Sequence, residues 1–264
     1  PGGWGSFAAT PQPGQMRLWA YQAVARGADM ISFFRWRSCR WGREQYWHGI
    51  LYHHGIPQRR YDEAKQLGAE FRALAAELDG SEVAAEVGIL YDYDSLWALE
   101  IQPNTGDGFD YRGMAAAWDA ALARLGVVAD AVGIGADLSR YKALIAPSVH
   151  VCPPETAERL AAYVRSGGAL LLGPRSGVKE EEGAIVDALL PGPLREVAGC
   201  YVEEYDAFSQ VAGLELRVRC PAGHLYRAHG LADVLVPEGN AEVSHRYEDH
   251  YYAGKPAVVR HVYG

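Results

Sequence analysis

Residues 141–172 read YKALIAPSVHVCPPETAERLAAYVRSGGALLL, with two apolar runs on either side of a helical pattern. Tyr141 to Ala146 and Ala169 to Leu172 have the short, continuous apolar character of strands that are buried on both faces. Glu155 to Val164, between them, has its apolar residues at helical spacing. A strand, a helix and a second strand in this order predict a parallel βαβ unit.

The same alternation continues on the N-terminal side of this stretch. We predict strands over Glu86 to Tyr91 and Val127 to Val132, with a helix over Tyr111 to Leu125 between them. Together these elements predict an α/β domain with an open, doubly wound parallel sheet of flavodoxin-like type.

The last third of the chain has a different pattern. Four short apolar runs are separated by Gly and Pro, and they are Leu214 to Val218, Ala232 to Val236, Val243 to Tyr247 and Ala257 to Tyr263. Such runs are typical of strands, so we predict β-rich C-terminal decoration of the same domain.

The first eighty residues predict a separate domain. A Gly- and Pro-rich loop over residues 1–13 precedes a helix from Met16 to Gly27. The apolar run Met30 to Trp36 then predicts a strand buried on both faces. The apolar positions from Arg60 to Leu78 predict an amphipathic helix. It ends at Asp79-Gly80, which we predict to be the boundary between domains 1–80 and 81–264.

Composition and charge exclude several classes of function. The 264 residues carry 25 Lys and Arg against 33 Asp and Glu, for a formal net charge of −8, with no sustained basic run. We therefore expect no nucleic-acid partner, because a phosphate backbone is bound by clustered cations. The longest apolar runs are far shorter than the roughly 20 residues of a membrane-spanning helix, so we expect no membrane partner. The N-terminal residues have no signal-peptide pattern, which predicts a cytoplasmic location.

The cysteines and histidines do not form a recognisable metal or redox motif. The four cysteines are Cys39, Cys152, Cys200 and Cys220, and their wide spacing predicts reduced structural thiols. The loop histidines His48, His53 and His54 lack the one-face spacing of a ligand pair, so we expect surface or supporting roles for them. The sequence predicts no metal site.

A doubly wound sheet can bind a nucleotide or flavin at the C-terminal ends of its strands. Here Asp92-Tyr93-Asp94-Ser95 follows the first predicted strand, and its carboxylates disfavour phosphate. Cys152 precedes two prolines rather than occupying a glycine-flanked turn, so an amidotransferase nucleophile is not expected there. We expect no cofactor, and we predict that this domain is a scaffold or a subunit interface.

Two segments remain as candidates for binding. Residues 36–57 are dense in aromatic and polar side chains after a predicted strand, where α/β folds place ligand sites. The neighbouring Arg35 and Arg37 either face that site or form salt bridges. Gly173 to Glu182 is either a docking loop or a solvated loop.

Several motifs resemble glycoside hydrolase family 42, a family of β-galactosidases. They include Pro13-Gly14-Gln15-Met16-Arg17-Leu18-Trp19, Glu44-Gln45-Tyr46-Trp47-His48-Gly49-Ile50-Leu51 and Asp92-Tyr93-Asp94-Ser95-Leu96-Trp97-Ala98-Leu99-Glu100. The resemblance implies that residues 1–80 are the last βα portion of a TIM barrel. It implies that residues 81–264 are a flavodoxin-like trimerisation domain, truncated at its C-terminal end, in a homotrimer.

The resemblance also implies a function, the hydrolysis of terminal β-D-galactosides with retention of configuration. It implies that Trp4 and Phe34 wall the sugar, and that Glu44 accepts hydrogen bonds from sugar hydroxyls. Trp47 stands where some members have His, and it would contribute packing or an indole N–H. We expect the nucleophile and the acid/base Glu upstream of Pro1, so the chain alone is predicted to be inactive. The alternative is a non-enzymatic assembly or sugar-binding module.

Overall fold

The computed structural model describes residues 9–103, 109–208 and 214–264. The chain forms two compact units, Pro1–Ala84 and Ala85–Gly264. Within the described residues, no helix is both long and apolar enough to cross a membrane. All four cysteines are free thiols, as their spacing predicted.

The first unit contains two long helices, α1 (Gln15–Ala25) and α2 (Arg59–Leu78). They pack against each other through the rings of Tyr21 and Phe71, whose centroids are 4.9 Å apart. Glu70 on α2 accepts hydrogen bonds from Arg17 Nε at 2.7 Å and from the Tyr21 hydroxyl at 3.0 Å. Both helices were predicted from the spacing of their apolar residues.

The strand predicted over Met30 to Trp36 is wrong. This segment is irregular, and Met30, Phe34 and Trp36 are exposed. Its backbone is paired near its end, where the N–H groups of Ile50 and Leu51 donate to the carbonyls of Arg35 and Trp36. A strand requires a hydrogen-bonding neighbour along its length, and an apolar run cannot reveal whether one is present.

The second unit begins with an alternation of strands and helices. In chain order these are β1 (Val87–Leu90), α3 (Tyr93–Ile101), α4 (Tyr111–Arg124), β2 (Ala129–Val132), β3 (Ala143–Ala146), α5 (Pro154–Arg165) and β4 (Ala169–Leu172). The four strands form a parallel sheet in the order β2-β1-β3-β4. This arrangement confirms the predicted doubly wound sheet.

The core of this sheet is made by the apolar runs that predicted it. Leu144 and Ala146 on β3 and Leu160 on α5 are fully buried in one cluster. Gly88 on β1 is required by this packing, because a Cβ there would lie 2.8 Å from Leu144 and 2.9 Å from the Val132 side chain.

Helix α3 was not predicted. It begins after Asp92, whose side chain accepts hydrogen bonds from the N–H groups of Asp94 at 3.4 Å and Ser95 at 2.9 Å, as an N-cap residue does. Its residues Leu96 and Leu99 pack with Tyr111 in a separate apolar cluster.

The rest of the second unit is mainly antiparallel. It contains α6 (Arg195–Ala198), β5 (Cys200–Asp206), β6 (Leu216–Arg219), β7 (Leu225–Ala228), β8 (Ala232–Pro237), β9 (Glu242–Tyr247) and β10 (Pro256–Arg260). Strands β5 and β8 pair with each other, and the others form a sheet in the order β10-β9-β6-β7. The predicted β-rich region is confirmed, with β5 and β7 as additional strands.

Candidate functional site

The loop that follows residue 36 brings Phe34, Glu44 and Trp47 together. Glu44 stands on a short 3₁₀ turn, Arg43–Tyr46, and the Trp47 N–H donates to the Glu44 carbonyl at 3.0 Å. The rings of Phe34 and Trp47 meet edge to face, with centroids 5.7 Å apart and planes at 85°. Phe34 is 64% exposed, so this aromatic corner is open within the unit.

Arg35 links the aromatic and acidic parts of the cluster. Its guanidinium forms an ion pair with the Glu44 carboxylate, and the side chains of Arg35 and Glu44 are 14% and 30% exposed. The same guanidinium lies 4.4 Å from the centroid of the Phe34 ring, which is cation–π distance. Arg35 also contacts the Cys39 Sγ, which no sequence pattern indicated. The ion pair fixes the carboxylate beside the aromatic corner.

The loop is anchored by a close backbone approach around Ser38. The Ser38 N–H donates to the Leu51 carbonyl at 3.0 Å, and the Gly49 N–H donates to the Ser38 hydroxyl at 2.9 Å. A Cβ at Gly49 would lie 2.5 Å from the Ser38 nitrogen, so a glycine is required there. This contact sets the path of the loop from Trp47 to Leu51.

The other residues singled out in this region have local roles. Trp4 lies outside the described residues. His48 Nε2 lies 3.2 Å from the Thr10 hydroxyl, and His53 Nε2 lies 2.6 Å from the Gln45 carbonyl oxygen. Arg37 Nε donates to the His53 carbonyl at 3.0 Å. Across the described ranges, no group of three or more His, Cys, Asp or Glu side chains could hold a metal ion.

The arrangement of Phe34, Trp47 and Glu44 offers an apolar surface and a hydrogen-bond acceptor, which correspond to the C–H face and the hydroxyl groups of a pyranose. The apolar C–H face of a sugar packs on aromatic rings, and an ionised carboxylate accepts hydrogen bonds from hydroxyls at several lone pairs. Arg35 balances the charge of Glu44 and lies over one part of the Phe34 ring, while the Phe34 side chain stays 64% exposed. These side chains can therefore bind a neutral, polyhydroxylated ligand.

Two buried side chains, His150 and Cys152, follow the carboxyl end of β3 in the second unit. Burial raises the pKa of the Cys152 thiol to about 12. Burial also lowers the pKa of His150 to about 4, although its Nδ1 lies 3.0 Å from the Arg175 carbonyl oxygen. A protonated thiol and a neutral imidazole in this setting are structural groups rather than an activated nucleophile and its base.

The segment Gly173 to Glu182 is not a wholly solvated loop. Arg175 to Lys179 are buried within the second unit, whereas Pro174 and the acidic end from Glu180 are exposed. The Ser176 hydroxyl accepts from the Val149 N–H at 3.1 Å, and Lys179 Nζ donates to Gln102. The buried part packs inside its own domain, which a local sequence pattern cannot indicate.

Comparison with protein families gives two matches that together cover most of the chain. Residues 85–264 match a model described as the β-galactosidase trimerisation domain, and residues 1–74 match one described as β-galactosidase.

Individual relatives agree with these matches. A β-galactosidase of Halorubrum lacusprofundi is 43% identical over 212 residues, which are 79% of this chain and 29% of that protein. One of Clostridium cellulovorans is 34% identical over 263 residues, which are 100% of this chain and 39% of that protein. The chain thus spans between 29% and 39% of the length of the curated relatives it matches.

Solved structures show the same fold. The β-galactosidase of Bacillus circulans sp. alkalophilus superposes with a TM-score of 0.89 at 32% identity, covering 96% of this chain and 38% of that one. The Halorubrum lacusprofundi enzyme gives a TM-score of 0.86 at 40% identity, covering 97% of this chain and 37% of that one.

Proposed function

The chain belongs to the glycoside hydrolase family 42 β-galactosidases, and on that premise we propose that its whole protein hydrolyses terminal, non-reducing β-D-galactosides with retention of configuration. In this proposal residues 1–80 are the last βα portion of the catalytic barrel and supply one wall of the galactose subsite. Residues 81–264 are the trimerisation domain of a homotrimer.

The observation that carries the substrate proposal is the Phe34, Glu44 and Trp47 cluster. An open aromatic corner, with rings 5.7 Å apart, stands beside a carboxylate that Arg35 holds in place. We assign the sugar's C–H face to Phe34 and its hydroxyls to Glu44. Trp47 supports the Phe34 ring, and Trp4 is a further candidate wall residue.

The chemistry of retention requires two carboxyl groups about 5 Å apart, one as nucleophile and one as acid/base. We assign neither role to a residue of this chain, whose matches span 29% to 39% of its curated relatives. The residues discussed here bind and orient the sugar so that the anomeric carbon faces the nucleophile. Orientation of this kind lowers the activation free energy, because the entropy of bringing the reacting groups together is already lost on binding.

The test is an assay of the full-length protein on 4-nitrophenyl β-D-galactoside, with the β-glucoside as comparison and NMR detection of the first anomer released. We expect hydrolysis of the galactoside and initial release of the β-anomer. Glu44→Gln should lower kcat/KM about 10- to 100-fold, because a charged acceptor becomes neutral and Arg35 loses its partner. Glu86→Gln is the matched control, since Glu86 pairs with Lys142 on the surface of the second unit.

Two results would contradict the proposal. Release of the α-anomer first would exclude retention. Binding of galactose by a protein without hydrolytic activity would favour the alternative of a sugar-binding module. Light scattering tests the homotrimer separately. A cytoplasmic location stays a prediction, which cell fractionation would check.

A further inference from the structure

We propose that the exposed apolar face of α3 is a surface through which one copy of this chain contacts a second copy. This inference rests on the proposed homotrimer and adds which surface holds it together. The surface, here called the α3 stripe, consists of Tyr93, Trp97 and Ile101. Their exposed fractions are 59%, 53% and 79%.

The α3 stripe arises because this short helix is apolar on both sides. Tyr93, Trp97 and Ile101 are four residues apart, so they lie on one face. Leu96 and Leu99 are buried against the rest of the unit. A helix with apolar residues on two sides is normally covered on both of them, whereas α3 is covered on one side only within its own unit.

The stripe is held in a fixed position. The Asp92 carboxylate caps the helix, and the Ser95 hydroxyl accepts a hydrogen bond from the Val151 N–H at 3.0 Å. The rings of Tyr93 and Trp97 also contact each other, with centroids 5.6 Å apart. A preformed surface loses little conformational freedom on binding, which favours association.

The size and border of the stripe match the centre of a subunit interface. Fully burying an aromatic side chain removes about 150–250 Å² from water, so the stripe offers on the order of 300 Å² of apolar surface. A stable interface takes about 800 Å² from each partner, with an apolar centre and a polar rim. Glu100 and Arg112 form an exposed ion pair of 3.0 Å, one residue from Ile101, and can supply part of such a rim.

A second copy is the occupant that the observations favour. The stripe lies within residues 85–264, which match the trimerisation-domain model. Assembly around a three-fold axis repeats one contact between unlike surfaces, so each copy must carry a patch that stays uncovered in isolation. A sugar fits less well, because Ile101, the most exposed residue of the stripe, offers no polar group to its hydroxyls.

The experiment is sedimentation velocity of the full-length protein at micromolar concentration. Trp97→Glu places a charge in the centre of the stripe, and we expect it to weaken assembly about 100-fold, as loss of a central aromatic residue does. Tyr226→Glu is the matched control, because Tyr226 on β7 is another half-exposed aromatic residue, at 52%. The wild type and this control should sediment as trimers, and Trp97→Glu as a single copy with an unchanged circular dichroism spectrum.

Other outcomes distinguish failure of this inference from failure of the proposed homotrimer or of the proposed enzymatic activity. If Trp97→Glu fails to fold, Ile101→Glu tests the same surface at its more exposed end. If the Trp97→Glu and Ile101→Glu variants both sediment as trimers, the inference is overturned, whereas the proposed homotrimer is unaffected. A wild type that hydrolyses galactosides as a single copy would overturn both assembly proposals but not the enzymatic one. Weaker galactose binding by Trp97→Glu, with its mass unchanged, would assign the stripe to sugar instead.

Discussion

The backbone N–H of Arg175 donates to one carboxylate oxygen of Asp233 at 3.2 Å, while its guanidinium lies 3.9 Å from the other. Arg175 follows β4 and Asp233 stands on β8, so this pair joins the parallel sheet to the antiparallel part of the same unit. The guanidinium also lies 4.5 Å from the centroid of the Tyr205 ring. Burial raises the pKa of Asp233, although the guanidinium opposes this effect. The pair is therefore a buried charge contact that holds two sheets together.

Removing one member of this pair should destabilise the fold strongly. Asp233→Ala leaves the Arg175 guanidinium buried without its counter-charge, and loss of such a partner costs about 3–5 kcal/mol. We expect the free energy of unfolding in urea to fall by that amount. Glu215→Ala, which breaks an exposed ion pair with Arg227, is the control and should cost below about 1 kcal/mol. Equal losses in the two variants would contradict the structural role of the buried pair.

His150 should make stability depend on pH in mildly acidic solution. Its pKa is about 4 in the folded chain because of burial, whereas an unfolded chain holds histidine near 6.5. The unfolded state then binds more protons between these values, so stability is full above about pH 6.5 and falls toward pH 4, by on the order of 3 kcal/mol. His150→Gln should flatten this part of the urea-denaturation profile, and His229→Gln, at an exposed site, should not. A slope that persists in His150→Gln would assign the effect to other groups.

The buried thiols should be unreactive in the folded protein. Burial raises the pKa of Cys152 to about 12 and that of Cys200 to about 11. Alkylation requires the thiolate, so iodoacetamide at pH 8 should modify both at least about 100-fold more slowly than the partly exposed Cys220. Mass spectrometry of peptides from native and urea-unfolded protein measures the rates. Rapid labelling of Cys152 in the native protein would show that its environment is open.

Phe34 should contribute to sugar binding rather than to the chemical step. Phe34→Ala removes the aromatic surface against which the C–H face of galactose packs, and we expect KM for 4-nitrophenyl β-D-galactoside to rise about tenfold with a smaller change in kcat. Trp41→Ala is the control, because Trp41 is an exposed aromatic residue in the same loop and has no assigned sugar contact. Equal effects of the two substitutions would remove Phe34 from the proposed wall.

Local sequence patterns predicted the parts of the fold that bury a continuous or periodic apolar face. The runs at Tyr141 to Ala146 and Ala169 to Leu172 became β3 and β4, and the spacing from Arg60 to Leu78 became α2. Helix α3 escaped prediction because apolar residues on both of its sides leave no amphipathic period. The sequence feature that could have indicated the start of this helix was Asp92, because Asp is a preferred N-cap residue.

The candidate site was predicted by the resemblance of its motifs, and the structure brings Phe34, Glu44 and Trp47 together. A salt bridge was one of the two roles considered for Arg35, but its partner Glu44 could not be predicted, and neither could the Ser38 contact that requires Gly49. Each contact joins residues nine or more positions apart in an irregular loop. The strand predicted over Met30 to Trp36 failed for the same reason, since strand formation depends on a neighbour elsewhere in the chain.

The parallel sheet, the helices with an amphipathic period and the family could all be predicted from the sequence, because they depend on the order and type of neighbouring residues. The contact between Arg175 and Asp233, 58 positions apart, and the burial of Lys179 are visible only in the folded chain. The exposure of the α3 stripe is likewise a property of the folded chain. Burial and ion pairing depend on which distant segments meet, and that information is not present in any short stretch of the chain.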